Sequence, residues 1–199
     1  MMRLKNPTWL SSINRKMKRW RKPQENYWIG WNPIDTNIFP FSTGFEKNGM
    51  GKVAIQKMNV QDLEEIFSIE TSSSLTPWSK NMFNKEIQNH FSHCFVIKTG
   101  KPPHQPVIGF ICFRIVTDES ELLNICVHPQ YRQLGIGKKL MEFYMEFCSR
   151  RGIKTYYLEV NSSNVSAIHL YQCFSYQFFG MRKNFYQGKF DALLMMKKV

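Results

Sequence analysis

The stretch RQLGIGKKL, Arg132 to Leu140, restricts what this 199-residue chain can fold into more than any other. It follows the apolar run LLNICV (122–127). It also opens a pattern in which Ile136, Leu140, Phe143, Tyr144 and Phe147 recur at helical spacing while Lys138, Lys139, Glu142, Glu146 and Arg150 take the other face. A strand, a turn with two glycines and an amphipathic helix must follow one another. Gly135 and Gly137 can take backbone angles closed to other residues and let a bulky group approach the main chain. Because the loop opens a helix, the amides of Gly135, Ile136, Gly137 and Lys138 are donors without acceptors at the positive end of a dipole, a ready anion site. Arg132 and Lys138 or Lys139 add side-chain charge, which suits a pyrophosphate better than a single carboxylate. A phosphate loop of the G-x-x-x-x-G-K-[ST] type needs four residues between its glycines, and a dinucleotide fingerprint needs a third glycine where this chain has Leu140. On these residues alone, a tight strand-to-helix turn that binds nothing stays open as the alternative.

The rest of the chain falls into place around the loop. VAIQKM (53–58) alternates like a strand. Asn59 can cap a helix whose residues Val60, Leu63, Ile66, Phe67 and Ile69 share a face and which Pro77 ends. Ser79 caps a second helical pattern, SKNMFNKEIQNH, before the strand CFVIK (94–98). GKPPHQP, with three prolines in seven residues, is a loop or hairpin connection. VIGFICFRIV (107–116) and LLNICV are strongly apolar strands, and Gly152 marks the end of the helix after the glycine loop. TYYLEV (155–160) is a strand, Asn164 to Cys173 a short helix, and YQFFGM (176–181) and DALLMMKK (191–198) close the chain as strands. The order β, α, α, β, β, β, α, β, α, β, β predicts an α/β (α+β) fold: a mixed, mostly antiparallel sheet of about seven strands with a parallel pair near its middle and helices on both faces.

Residues 1–52 lack periodicity and are rich in Trp, Pro, Asn and Gly, so they read as an extension to a domain spanning 53–199. The formal net charge of +12 points to anionic partners. Arg3, Lys5, Arg15, Lys16, Lys18, Arg19, Arg21 and Lys22 all precede the first acidic residue, Glu25. This basic, aromatic extension packs on the domain as a solvated tail or grips RNA or a ribosomal surface. Five cysteines, never closer than fourteen residues, offer neither a zinc site nor a disulfide framework, and no metal is expected. No apolar run approaches the roughly eighteen residues of a membrane helix, so a cytoplasmic protein with no membrane partner is expected.

Downstream of the loop, LEVNSSNVSAIHLY (158–171) sets an acid at a strand end and a tyrosine twelve residues later on the next helix. R-x-x-G-x-G before a helix, followed by LEV-x-x-x-N-x-x-A-I-x-L-Y, resembles the GNAT acyltransferases. Within them it resembles the branch that acetylates protein N-termini, typified by the bacterial ribosomal-protein-alanine acetyltransferases. PWS (77–79) and RKNFY (182–186) resemble that branch too, and the likeness covers about residues 53 to 199.

The resemblance implies a GNAT fold whose parallel pair splays, and acetyl-CoA as cosubstrate. Its pyrophosphate would lie on Arg132, Gln133, Leu134, Gly135, Ile136, Gly137 and Lys138, its pantetheine arm along Ile125, Cys126 and Val127, with Asn164 nearby. The implied reaction is direct attack of an amine on the thioester, with Glu159 as general base and Tyr171 as general acid. Glu121 is a rival base, since other GNAT branches use an acid at the start of that strand. Cys126 reads as a small buried apolar residue. Trp78 and Tyr186 would flank the acceptor, a protein N-terminal amine of ribosomal type. Two other readings stay in view: a GNAT acting on lysine or a small amine, and a non-catalytic CoA-binding protein associated with the ribosome or RNA. The chain departs from the family pattern L-Y-x-x-x-G-F at Ser175, where a side chain in a left-handed turn predicts a different local backbone.

Overall fold

In the computed structural model, residues 53–100 and 103–199 are described. The extension expected over residues 1–52 lies outside them. Strand β1 (Val53–Lys57) leads to a short 3-10 turn over Val60–Asp62 and then helix α1 (Leu63–Thr71). Asn59 caps as expected, its side-chain oxygen accepting from the Gln61 amide at 2.8 Å, and the Asp62 carboxylate accepts in return from the Asn59 amide at 3.0 Å. This reciprocal cap tightens the first turn and leaves Val60 59% exposed, off the apolar face assigned to it. Asp62 is buried instead, with Lys98 Nζ 2.7 Å away to neutralise it. The helix stops at Thr71, before Pro77, and the Thr71 and Ser72 hydroxyls bond the carbonyls of Phe67 and Ile69 in its last turn.

Ser79 caps helix α2 (Lys80–Gln88), accepting from the Met82 amide at 3.3 Å. Strands β2 (Ser92–Thr99), β3 (Val107–Val116) and β4 (Glu119–Val127) follow, then helix α3 (Ile136–Ser149), strand β5 (Thr155–Asn161), helix α4 (Val165–Cys173) and strands β6 (Gln177–Tyr186) and β7 (Phe190–Lys198). The seven strands form one sheet in the order β1-β2-β3-β4-β5-β7-β6. Every neighbouring pair is antiparallel except β4 and β5. One face packs on α3 through Leu140, Phe143, Tyr144 and Phe147; the other packs Ile66, Ile69, Phe83 and Phe110 beneath α1 and α2. Burying each such side chain contributes about 1.5–3 kcal/mol, which fixes both helix layers against the sheet.

The sheet opens where β4 and β5 part. Their register runs from Glu119↔Thr155 to Leu122↔Leu158 and stops, although the strands continue to Val127 and Asn161. On the other side of β4, Cys112 opposes Asn124 while Phe113 opposes Leu122, so Leu123 is an extra residue. Such a bulge bends and twists the strand, here at the point of divergence.

Two expectations need correction near the C-terminus. The backbone after α4 does not change to accommodate Ser175: the serine takes φ +65°, and the Ser175 and Tyr176 amides bond the carbonyls of Gln172 and Tyr171. These two bonds close the usual left-handed helix terminus, so the serine carries the strain that glycine would avoid. Strand β6 also runs on to Tyr186 rather than ending at Met181, with breaks of register against β7 between Phe178 and Gly180 and between Arg182 and Tyr186.

Candidate active site

The gap between β4 and β5 has main-chain groups on its β4 side. The His128 amide donates to the Ile108 carbonyl at 2.9 Å, which sets the phase of the β3–β4 ladder. Bonded and non-bonded pairs alternate in an antiparallel ladder, and here Phe110 opposes Cys126 and Ile111 opposes Ile125. Cys126 therefore bonds to β3, while Ile125 and Val127 turn their amides and carbonyls into the gap. The Val127 carbonyl accepts from Arg132 Nε at 3.2 Å, in keeping with that phase.

The glycine loop stands at the head of this gap. Gly135 has φ +82° and precedes α3 with no side-chain cap. The first intrahelical bond found runs from the Lys139 amide to the Gly135 carbonyl. The amides of Ile136, Gly137 and Lys138 thus lack helical acceptors. A Cβ on Gly137 would sit 3.5 Å from Leu170 in α4, an ordinary packing distance, so the start of α3 lies close against α4 here. Gln133 also has a positive φ, +59°, which its residue type did not signal. Arg132 Nη2 donates to Ser73 Oγ at 2.6 Å, tying the loop to the segment after α1. Lys138 is exposed, 3.8 Å from Glu142. Asn164 caps α4, accepting from the Ala167 amide at 3.2 Å.

Glu159 is the first β5 residue beyond the last β4–β5 pair, where the gap begins. Its carboxylate is 15% exposed and meets Arg182 of β6, whose Nη1 donates to Oε1 at 3.0 Å and Oε2 at 3.3 Å. Tyr186 lies at the end of the same strand; burial and the nearby Glu159 push its hydroxyl up to about 12, against the pull of Arg182. Tyr171 on α4 is 6% exposed. Burial, with Tyr186 and Cys126 adjacent, pushes its hydroxyl above the usual phenol range.

Glu121 lies on the closed side of the parting, opposite Tyr157 and Arg114. Burial pushes its carboxyl up to about 8, with Arg114 opposing and Glu159 and Glu86 reinforcing the rise. It is mostly protonated at neutral pH. Burial also raises the Cys126 thiol, so this cysteine is a thiol and not a thiolate.

Trp78 holds the loop between α1 and α2. Its amide donates to Glu70 Oε1 at 3.0 Å, and its ring lies 5.2 Å from that of Phe83. Across from it, Gln187 Nε2 donates to the Leu75 carbonyl at 2.7 Å, linking this loop to the β6–β7 hairpin. Glu70, Ser73 and Gln187 carry no motif, and Arg182 entered only within RKNFY. Their partners lie far along the chain, where spacing gives no signal.

The Acetyltransferase (GNAT) family matches residues 61–176. A Bacillus subtilis (strain 168) protein, provisionally named a [ribosomal protein bS18]-alanine N-acetyltransferase, is 34% identical over 146 residues, covering 73% of this chain and 94% of the relative. The [ribosomal protein bS18]-alanine N-acetyltransferase of Escherichia coli (strain K12) is 31% identical over 71% of this chain and 94% of the relative. The crystal structure of the Escherichia coli ribosomal-protein-S18-alanine N-acetyltransferase superposes with TM-score 0.67 at 29% identity, covering 74% of this chain and 94% of that one. The chain belongs to the GNAT acetyltransferase family. Among the described residues, no helix is long and apolar enough to cross a membrane.

Proposed function

We propose that the enzyme transfers the acetyl group of acetyl-CoA to the N-terminal α-amine of a ribosomal protein in the cytoplasm. The observation that carries this reading is the position of Glu159, a carboxylate at the mouth of the β4–β5 parting. The two relatives named for alanine N-acetylation of a ribosomal protein support the choice of acceptor.

On this reading, residues 53–199 form the catalytic domain, and the basic extension of residues 1–52 contacts RNA or the ribosome. The amides of Gly135 to Lys138 hold the pyrophosphate, with Arg132, Gln133 and Leu134 shaping the loop. Ile125, Cys126 and Val127 lie along the pantetheine arm, and a β4 amide polarises the thioester carbonyl as charge builds on its oxygen. Asn164 keeps α4 closed at its start. Trp78 fixes one wall of the acceptor groove and Tyr186 contacts peptide from the other.

An α-amine has a pKa of about 8, so at neutral pH it arrives largely as ammonium. Glu159 takes one proton from the acceptor nitrogen, whose lone pair then forms the C–N bond to the acetyl carbon. The C–S bond breaks, and sulfur leaves with the bonding pair and takes the Tyr171 proton. The proton shed by the new amide nitrogen returns to the Tyr171 phenolate through solvent. One net proton has then left by way of Glu159.

A panel of peptides read by mass spectrometry tests the acceptor. Acetylation at the α-amine of alanine-initiated ribosomal-protein N-termini is expected. Acetylation of internal lysines or small amines, with free N-termini untouched, would refute the assignment.

A further inference from the structure

The peptide unit that joins Val127 to His128 is held at both ends. Its N–H donates to the Ile108 carbonyl of β3 at 2.9 Å, and its C=O accepts from Arg132 Nε at 3.2 Å. In a trans peptide these two groups point opposite ways, here one toward β3 and the other into the gap. On the β3 side the approach is close. A Cβ on Gly109 would lie 2.8 Å from the Cys126 carbonyl, too near for any side chain unless the strands moved apart. The end of β4 thus rests on β3 from behind and on a guanidinium in front.

Arg132 is itself held in place. The 3-10 turn Pro129–Tyr131 reverses the chain, with the Arg132 amide donating to the Pro129 carbonyl at 3.3 Å, and so returns the side chain to Val127. Arg132 Nη2 donates to Ser73 Oγ at 2.6 Å, and the Ser73 amide donates in turn to the Glu70 carbonyl of α1 at 3.1 Å. The Cys126 thiol lies beside the same serine. A guanidinium suits this place, because its rigid fork of donors can bridge a carbonyl and a hydroxyl at once. The amides offered to the pyrophosphate begin only at Ile136, after the left-handed residues Gln133 and Gly135 have turned the chain.

We propose that Arg132 is a positioning residue for the donor: pinned by Ser73, it seats the Val127 carbonyl and so fixes the β4 edge against which the pantetheine arm and the thioester lie. The Val127 amide and both main-chain groups of Ile125 are left to the arm. The inference rests on the reading of β4 as the seat of that arm. Arg132 makes and breaks no covalent bond. It orders the edge before the donor arrives, and that ordering would otherwise weaken binding.

The test uses the full chain as wild type, Arg132→Ala, Ser73→Ala and the double variant, each first shown to unfold at the wild-type temperature. Amide hydrogen exchange without ligand reads the edge itself. The His128 amide should exchange about fivefold faster in Arg132→Ala and less so in Ser73→Ala, and the double variant should match Arg132→Ala. Turnover with a peptide acceptor is then compared for acetyl-CoA and for acetyl-pantetheine, which carries no phosphate. For Arg132→Ala, kcat/KM should fall about fivefold with both donors, mainly through the donor KM, with the acceptor KM unmoved. A loss confined to acetyl-CoA would make Arg132 a phosphate ligand and overturn the proposal. So would wild-type exchange at His128 in Arg132→Ala, or a Ser73→Ala effect that adds in full to that of Arg132→Ala. Exchange in the wild type with acetyl-CoA separates the two claims. If residues 125–127 gain no protection, the reading of β4 fails and the proposal with it; if they gain it while Arg132→Ala behaves as wild type, only the role of Arg132 fails.

Discussion

On the β4 side of the cleft, the groups that face inward belong to the main chain: the edge of Ile125 and Val127, and the amides that open α3. On the β6 side they are side chains borrowed from separate stretches, with Arg182 on Glu159, Gln187 on the Leu75 carbonyl and Trp78 seated against Phe83. The first wall is fixed by a hydrogen-bonded ladder and a helix terminus, which most substitutions leave alone. The second depends on a few contacts worth about 1 kcal/mol each, so its preferences can change without disturbing the first.

The comparison can be broken from either wall. The largest effect is expected from Gly135→Ala, which forces a side chain to φ +82° at a cost of about 1–2 kcal/mol. Steady-state kinetics should show roughly a tenfold higher KM for acetyl-CoA with the acceptor KM unmoved; a change confined to the acceptor would undo the division. Gln187→Ala removes one hydrogen bond across the acceptor side and should raise the acceptor KM about fivefold, leaving acetyl-CoA binding as it was. Smallest is Ser175→Gly, which relieves a left-handed serine away from both walls. It should stabilise the fold by about 0.5–1 kcal/mol in denaturant unfolding with kinetics unchanged.

The same division explains what was legible in the sequence. The order of strands and helices could be read, because periodicity and caps such as Asn59, Ser79 and Asn164 are local signals. The glycine loop was legible because its backbone demands glycine at Gly135. Residues on the second wall were not: Gln187 and Leu75 are 112 positions apart, and Arg182 and Glu159 are 23 apart. Nothing in their spacing marks a pair that only the sheet order β5-β7-β6 brings together. Residue-by-residue rules also failed where a particular contact overrode them. Asp62 turned inward because Lys98 neutralises it, and Ser175 held a glycine's conformation because two hydrogen bonds enforce it.

Amide hydrogen exchange with and without acetyl-CoA tests the claim of a main-chain donor wall most directly. Acetyl-CoA should slow exchange in segments 125–127 and 135–138 and leave 72–79 and 182–187 at their free rates. Protection of the hairpin and the α1–α2 loop, with the β4 edge and glycine loop unchanged, would contradict it.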